Sequence, residues 1–437
     1  MITDTLPTEE RRAPRRASPS HRFAKRVLVR RLAGLRDGVL RLVDDEGSVD
    51  LGTRGELEAT VRVLDTSFYH QVVSGGSVGA GEAYRDGRWQ TNELVPLVRL
   101  LTRNRDLLDG LDDGAARFVR WLTMWAHRMK PNSLRGSRRN VAAHYDLSNE
   151  LFETFLDRRL MYSAAIYPHD AATLDEASTH KLDRILKKLE LGPADHLLEI
   201  GSGWGGLAIH AALGTGCRVT TVTVSAEQHA YAERRVRAAG IADRVTVLNR
   251  DYRELRGEYS KLVSVEMVEA VGDGYLDGYF RCCNRLLAPG GLFLLQAITI
   301  EDHRYRRALG SVDFIRKHIF PGSFIPSVSR LVAGSARDTE LRLVHLEDIG
   351  ADYARTLEAW RARFLGNASR VAALGFDDRF CRLWEFYLAY CEGGFRECSI
   401  GDAQMLFAKS PYRGRPWRAA PSEESRAAPS EESRAAP

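Results

Sequence analysis

The sequence predicts an α/β protein: a parallel sheet covered by helices on both faces, preceded by a smaller α+β domain. Three observations predict it. From about residue 140 onward, apolar segments of strand length alternate with segments of helix length, the pattern of parallel strands joined by crossover helices. The first of these strands, Leu197 to Ile200, carries an acid near its end and breaks into alternating glycines. Before residue 115 the elements are short, and some alternate with period two, as in Leu40-Arg41-Leu42, which suits half-buried strands.

Taken in order, residues 1–20 are rich in Pro, Arg and Ser and are expected to form a disordered basic arm. Arg11, Arg12, Arg15, Arg16, Arg22, Lys25, Arg26, Arg30 and Arg31 crowd into the stretch 11–31. Such a block meets anionic lipid or nucleic acid by the same Coulombic attraction; a solvated flexible arm is the plainer reading. The α+β domain is placed at 21–115, with Leu57 to Leu64 and the run Gly75-Gly76-Ser77-Val78-Gly79-Ala80-Gly81-Glu82 among its short elements. A helical linker, 116–139, follows. Trp121, Leu122 and Trp125 share one side of Phe118 to Met129 and read as a packing stripe, and the basic loop 130–139, with Pro131 and Gly136, marks a boundary.

The larger domain, 140–410, runs strand Leu197 to Ile200, helix Gly206 to Leu213, strand Arg218 to Val224, helix Ala226 to Ala239, strand Val245 to Asn249, strand Leu262 to Glu266, helix Tyr275 to Leu287 and strand Gly291 to Ile298. Ala288-Pro289-Gly290-Gly291 turns the chain into the last of these. In the segment 411–437, the octad Ala419 to Arg426 recurs as Ala427 to Arg434, has no apolar face, and reads as a disordered tail.

Composition excludes several classes. No run approaches 18 apolar residues, so no membrane-spanning helix is expected. The N-terminus lacks an apolar signal region, and the six cysteines form no CxxC pair, which argues against a zinc site and a disulfide framework and for a reducing cytoplasm. The twelve histidines show no metal spacing.

The chemistry gathers where the strands end, because ligands of such sheets sit at the carboxyl ends of the strands. Gly201, Gly203 and Gly205 let backbone approach a ligand with no Cβ in the way. The run Gly201-x-Gly203-x-x-Gly206 also fits a dinucleotide, and the acids separate the two readings. A dinucleotide wants an acid at the end of the second strand, but that strand ends in Thr223-Val224-Ser225. Glu199, just before the glycines, would repel a phosphate and welcome a cationic sulfonium, so S-adenosylmethionine is preferred over NAD. A strand-turn-helix without ligand is the remaining alternative. Thr223, Ser225 and Gln228 can reach ribose and carboxylate groups, and Asp251 and Tyr252 stand where adenine would lie. After the fourth strand come Glu266 and Glu269, and after the fifth Gln296 and Ile298. No Ser-His-Asp or Cys-His signature is present.

From about 140 to 410 the chain resembles the cyclopropane-fatty-acyl-phospholipid synthases and mycolic acid cyclopropane synthases. The resemblance is carried by His144-Tyr145-Asp146-Leu147-Ser148-Asn149, Met161-Tyr162-Ser163, the Glu199 to Gly206 turn, Thr223-Val224-Ser225-Ala226-Glu227-Gln228, Val268-Glu269-Ala270-Val271-Gly272, Ile319-Phe320-Pro321-Gly322, Gly350-Ala351-Asp352-Tyr353 and Tyr390-Cys391-Glu392-Gly393-Gly394-Phe395. A weaker echo, Gly79 to Trp89, is similar to the family's N-terminal lipid-handling domain.

The resemblance implies a Rossmann-like S-adenosylmethionine-dependent methyltransferase sheet with a small α+β N-terminal domain. It also implies methyl transfer to the cis double bond of an acyl chain esterified in a phospholipid, followed by proton loss and ring closure. Such a reaction needs a dry apolar slot, a positioned methyl group and a base, but no protein nucleophile. Tyr162 and Ser163 join the cofactor set. The base implied is a bound bicarbonate, held by Glu269, the Ile298 backbone, Tyr353, an amide near a cysteine that is Ala164 here, and a histidine that is Gln296 here. Glutamine hydrogen-bonds but relays no proton near pH 7, so a methylene- or methyl-branched chain is the alternative product. Cys391 matches a suspected catalytic cysteine, for which packing is the preferred role, and His144 and Tyr145 are expected in the wall or behind it. The implied partners are a phospholipid surface on the cytoplasmic side of the inner membrane and a second copy of the chain. Two competing readings remain: a methyltransferase of small molecules, and a nucleic-acid-binding module using the early arginines, against which stands the lack of interleaved aromatics.

Overall fold

The computed structural model describes residues 18–109 and 148–414. The arm before Ser18, the linker helix, the basic loop, His144, Tyr145 and the octad repeat lie outside the described residues.

Helix α1 (Pro19–Leu32) starts at Ser18, whose hydroxyl accepts from the His21 amide, an N-cap satisfying a donor the helix leaves unpaired. Strands β1 (Gly38–Asp44), β2 (Gly47–Thr53), β3 (Leu57–Val63) and β4 (Trp89–Gln90) form a sheet in the order β2-β1-β3-β4. Leu40 and Leu42, and Leu57, Ala59, Val61 and Val63, face inward with the expected period of two. The glycine-rich run departs from its expected short elements and belongs to one long helix, α2 (Ser67–Arg85), kinked at Gly76 with φ of 54°. Packing overrides poor helix propensity here: a Cβ on Gly79 would stand 2.0 Å from the Gln71 carbonyl oxygen, and one on Gly81 2.5 Å from the Phe314 ring. Helix α3 (Leu94–Arg103) completes this region.

The second sheet has seven strands in the order β10-β11-β9-β8-β5-β6-β7. Strands β5 (His196–Ile200), β6 (Arg218–Thr223), β7 (Val245–Asn249), β8 (Tyr259–Val265) and β9 (Leu287–Ile300) are parallel, as expected. The purely parallel sheet is corrected by β10 (Leu341–Asp348) and β11 (Ile400–Lys409): β11 runs antiparallel to both β9 and β10. Polar residues within β11, Asp402 and Gln404, broke the apolar signal that would have marked it.

Residues of β9 and β11 alternate between two cores, because successive side chains of a strand point to opposite faces. Leu292, Leu294 and Leu406 pack beneath helices α4 (Leu174–Lys188), α5 (Gly206–Thr215) and α6 (Ala226–Ala238). Phe293, Leu295, Met405 and Phe407 pack beneath α7 (Leu276–Leu286) and α8 (Val328–Arg337). The long helices α9 (Gly350–Gly366) and α10 (Asp378–Arg396) pack on each other, and α10 also packs on α2 and α3. Arg99 and Arg103 both bond the Glu397 carboxylate, at 2.6 and 2.7 Å, and the Tyr84 hydroxyl donates to Glu385 at 2.8 Å. These contacts join the small sheet's helices to the carboxyl-terminal part of the chain. Among the described residues, no helix is long and apolar enough to cross a membrane.

Candidate active site

The glycine turn follows β5 and is stitched to its neighbour: the Gly201 and Ser202 amides both donate to the Val222 carbonyl, at 3.0 and 2.9 Å. Gly201, Gly203 and Gly205 have φ of 100°, 47° and 82°, conformations that favour glycine. The turn is packed on one side and open on the other. A Cβ on Gly206 would strike the Arg159 carbonyl at 2.6 Å, whereas one on Gly203 would meet nothing within 4 Å. Glu199 is 4% exposed; its Oε2 accepts from the Thr221 hydroxyl at 2.5 Å, and burial pushes its carboxyl up to about 8.

The other cofactor candidates stand at adjacent strand ends, already engaged with neighbours. The Thr223 hydroxyl donates to Gln228 Oε1 at 3.0 Å, and the Ser225 hydroxyl caps α6 by accepting from the Gln228 amide. Asp251 receives two bonds from the Arg253 guanidinium, at 2.8 and 2.7 Å. The Tyr252 ring meets Tyr279 edge-on at 5.6 Å. Ser163 is buried, and its hydroxyl accepts from Lys181 Nζ at 2.6 Å.

One strand over, at the end of β8, lies a cluster of three carboxyl groups, Asp402 buried and Glu266 and Glu269 partly so. Glu266 Oε1 accepts from the Ala164 amide and from Gln296 Nε2, both at 2.8 Å, and its Oε2 accepts from the Tyr353 hydroxyl at 2.8 Å. Glu269 Oε1 accepts from the Ile298 amide at 2.6 Å, while its Oε2 is buried without a partner. Asp402 Oδ2 accepts the second hydrogen of Gln296 Nε2 at 2.9 Å.

Burial pushes Glu269 up to about 8, with the nearby Glu266 adding to it. Burial raises Asp402 far above the carboxylate range, so it keeps its proton. Burial also raises Glu266, but the Lys181 charge, the Ala164 amide and the Tyr353 hydroxyl pull it back. Tyr353 itself is pushed well up by burial and stays a donor.

A chain of polar side chains fixes which way Gln296 points. Lys188 Nζ donates to Gln404 Oε1 at 2.7 Å, and Gln404 Nε2 donates to Gln296 Oε1 at 2.9 Å. With its oxygen so occupied, the amide nitrogen of Gln296 is aimed at Glu266 and Asp402.

A cavity of about 800 Å³ connects this cluster to the small sheet. Leu40, Val61, Phe68 and Leu97 line one part, and Tyr162, Glu266, Glu269, Ile298, Tyr353 and Cys391 line another. Tyr162, one of the expected cofactor residues, belongs to the aromatic lining: its ring centroid lies 5.3 Å from both Phe152 and Trp360, and its hydroxyl is 2.9 Å from that of Tyr387. Burial pushes the Cys391 thiol far up, so it carries no thiolate character. Among the described residues, no His, Cys, Asp or Glu group could hold a metal ion.

The structure thus gathers Ala164, Gln296 and Tyr353 on Glu266, and Ile298 on Glu269, beside this cavity, whose lining also includes Cys391. Sequence reasoning marked Glu266 only as an acid at a strand end, and missed Lys181, Asp402 and Gln404. Lys181 was legible in principle: it shares the buried face of α4 with Ala177, Leu182 and Ile185, and a lysine on an apolar stripe is rarely there for packing.

Residues 132–405 match the family model of mycolic acid cyclopropane synthetase. The chain belongs to that family. It is 37% identical over 391 residues to tuberculostearic acid methyltransferase UfaA1 of Mycobacterium tuberculosis, covering 87% of this chain and 89% of that one. It is 34% identical over 366 residues to the cyclopropane-fatty-acyl-phospholipid synthase of Escherichia coli, covering 83% and 91%. A crystal structure of mycolic acid cyclopropane synthase CmaA1 complexed with SAH and CTAB superposes with a TM-score of 0.58 at 30% identity, covering 62% of this chain and 98% of that one. The protein is therefore an S-adenosylmethionine-dependent methyltransferase of the cyclopropane synthase type.

Its own geometry suits that cofactor. Space opens over Gly203, and the buried Glu199 carboxyl beside it lacks a cationic partner among the contacts described for it. Bicarbonate fits less well. The Ala164 amide, Gln296 Nε2 and the Tyr353 hydroxyl are engaged by Glu266, and the Ile298 amide by Glu269.

Proposed function

We propose that the protein adds one carbon, taken from S-adenosylmethionine, to the cis double bond of an unsaturated acyl chain esterified in a phospholipid, closing it to a cyclopropane. The observation that carries this reading is the apolar cavity that ends on paired carboxyl groups. When bound, the cofactor supplies a methyl group on a sulfonium and departs as a neutral thioether. Glu199 and the open turn at Gly203 would hold it; Met267, between the two glutamates in sequence, packs on Gly201 and sets the turn against the cluster.

The chain's own residues do the rest. Aromatic and aliphatic walls exclude water from the alkene and from the cation that forms on it, which water would otherwise trap. Attack by the alkene's electron pair needs no deprotonation beforehand, in keeping with a thiol at Cys391 that is not ionised. The cation then loses a proton to a base in the cluster.

An anionic membrane surface suits α1, where Arg22, Arg26 and Arg30 recur every four residues and are exposed, together with Phe23 at 63% exposure. Part of the basic block is neutralised within the fold: Lys25 pairs with Asp44 and Glu46 at 2.6 and 2.7 Å.

A methyl or methylene branch is the second reading. It is favoured by Gln296 and Ala164 in place of the histidine and cysteine, and by the tuberculostearic acid methyltransferase relative. Mass spectrometry of host phospholipids with and without expression tests the reaction: acyl chains heavier by one methylene are expected, and unchanged lipids refute it. Proton NMR then separates cyclopropyl signals from a branch. A small-molecule methyltransferase would leave lipids unchanged and bind no anionic vesicles.

A further inference from the structure

We infer that Glu266 is the base of this enzyme, a carboxylate built into the chain that takes the place of a bound bicarbonate and receives the proton released after one-carbon transfer. The inference rests on the proposed reaction and adds to it the identity of the group that ends it.

Three observations converge. First, the donors that would hold a small carboxylate-like anion already hold one: Ala164 N, Gln296 Nε2 and Tyr353 OH all bond Glu266. A second anion would have to displace that side chain or leave donors unpaired. Second, Glu266 adopts φ of 47°, the left-handed region where a residue with a Cβ is strained. Such strain persists at functional sites when the surroundings enforce it, and here the strained residue is one that lines the cavity. Third, the charge balance leaves one anion. Burial raises Asp402 far above the carboxylate range and Glu269 to about 8; it also raises Glu266 and lowers the fully buried Lys181, but the mutual attraction of Glu266 and Lys181 and the Ala164 and Tyr353 donors favour the charged form at Glu266. From these three donors Oε1 accepts two bonds and Oε2 one, which makes Oε2 the less engaged by them and the better placed to take a proton; the Asp402 carboxyl also hydrogen-bonds Glu266.

The step balances within the substrate and this residue. A C–H bond of the added methyl breaks, and its proton passes to Glu266 Oε2. Its electron pair forms the new C–C bond of the ring, or, after a hydride shift, the C=C of a methylene branch. The positive charge of the substrate cation is discharged, and neutral Glu266 is left to lose its proton before the next turnover. No further oxidant or reductant is required.

The test uses the full chain, vesicles of unsaturated phospholipid and S-adenosylmethionine, in buffer freed of dissolved carbon dioxide or supplemented with bicarbonate. Wild-type turnover is expected to agree within about twofold between the two. Glu266→Gln is expected to lose at least about 100-fold in turnover, the scale of a lost general base, while cofactor affinity measured by calorimetry stays near wild type and shows the variant folded. Glu266→Gly relieves the strained backbone and frees all three donors; its turnover is expected to become dependent on bicarbonate, rising at least about tenfold on addition. A wild-type rate that collapses without bicarbonate and returns with it, a Glu266→Gln enzyme of normal turnover, or a Glu266→Gly enzyme indifferent to bicarbonate would each overturn the inference. Failure of the underlying reaction looks different: wild type then makes no one-carbon product in either buffer.

Discussion

At neighbouring strand ends, a buried glutamate and a partly buried one are treated in opposite ways. Glu199 accepts one bond, from the Thr221 hydroxyl, whereas Glu266 accepts three and has an ammonium group close by. Both are raised by the loss of water. Only one is provided with the donors that stabilise its charge from inside the chain. A carboxyl left short of donors beside an open turn is completed by an incoming cation, whereas one surrounded by donors is completed already. The first is therefore a binding site and the second a reaction site, although they are the same residue type on adjacent strands.

The largest expected effect tests the reaction side. Glu269→Gln keeps the side chain's shape and can still accept from the Ile298 amide, but removes the carboxyl whose Oε2 faces no partner. Turnover is expected to fall by about 100-fold, the scale of a disturbed positioning of the reacting groups beside Glu266, with cofactor affinity by calorimetry near normal. Equal losses in both would erase the distinction between the two regions, and unchanged turnover would remove Glu269 from the catalytic set.

Glu199→Gln should do the reverse: cofactor affinity is expected to drop by about 10- to 100-fold, the scale of a lost charge-assisted contact. The pH dependence sharpens the point. In the free protein the Glu199 carboxyl sits at about 8, so it is mostly protonated at pH 7, and a bound sulfonium favours the carboxylate. Affinity should therefore climb as pH rises toward 8, with a proton released on binding at pH 7, measurable by calorimetry in buffers of different ionisation enthalpy. Stability runs the opposite way. A raised folded pKa contributes stability that is complete below the ordinary glutamate range and is lost as pH rises through about 8. The melting temperature of ligand-free wild type should fall relative to Glu199→Gln between pH 6 and 9, and a constant difference would refute the assignment.

How much of this was legible in the sequence follows the same divide. The glycine turn is contiguous, so Glu199, Gly201, Gly203 and Gly205 could be read from one strand-turn-helix. The cluster draws on the segment at Ala164, on α4, on the end of β8, on β9, on α9 and on β11, and only the resemblance linked several of these positions. Propensity failed at the kinked helix α2, whose glycines are kept by close packing on Gln71 and Phe314. Pattern failed at β11, where Asp402 and Gln404 interrupt an apolar strand for the sake of the cluster. Local rules give way where a site is being built.

A third, smaller effect separates support from chemistry. Gln296→Leu removes the amide that joins Gln404 to Glu266 and Asp402, leaving buried polar groups unpaired. The expected loss is about 2–4 kcal/mol of stability, read by thermal or denaturant unfolding. A stability near wild type would mean that the cluster rearranges freely, and the contrast between a prearranged reaction site and an unfinished binding site would weaken.

The smallest effect is expected at Cys391, which lines the same cavity as Glu266 and Glu269. Its thiol is pushed far up by burial, with Asp313 adding to it, and the cations that would stabilise a thiolate are not among the causes acting on it. The reaction forms its carbon–carbon bonds from an alkene pair and a C–H pair, so a sulfur nucleophile has no step to perform. Cys391→Ala removes one small, polarisable wall atom from a wide apolar cavity, and turnover should change by less than about threefold, with stability lowered by about 1 kcal/mol for the lost contact. The comparison with Cys391→Ser tells packing from chemistry: serine restores volume but not apolarity, so a packing role makes it no better than alanine. A large loss in alanine that serine restores would instead show a polar atom acting at that position, and would move part of the reaction away from the carboxyl cluster.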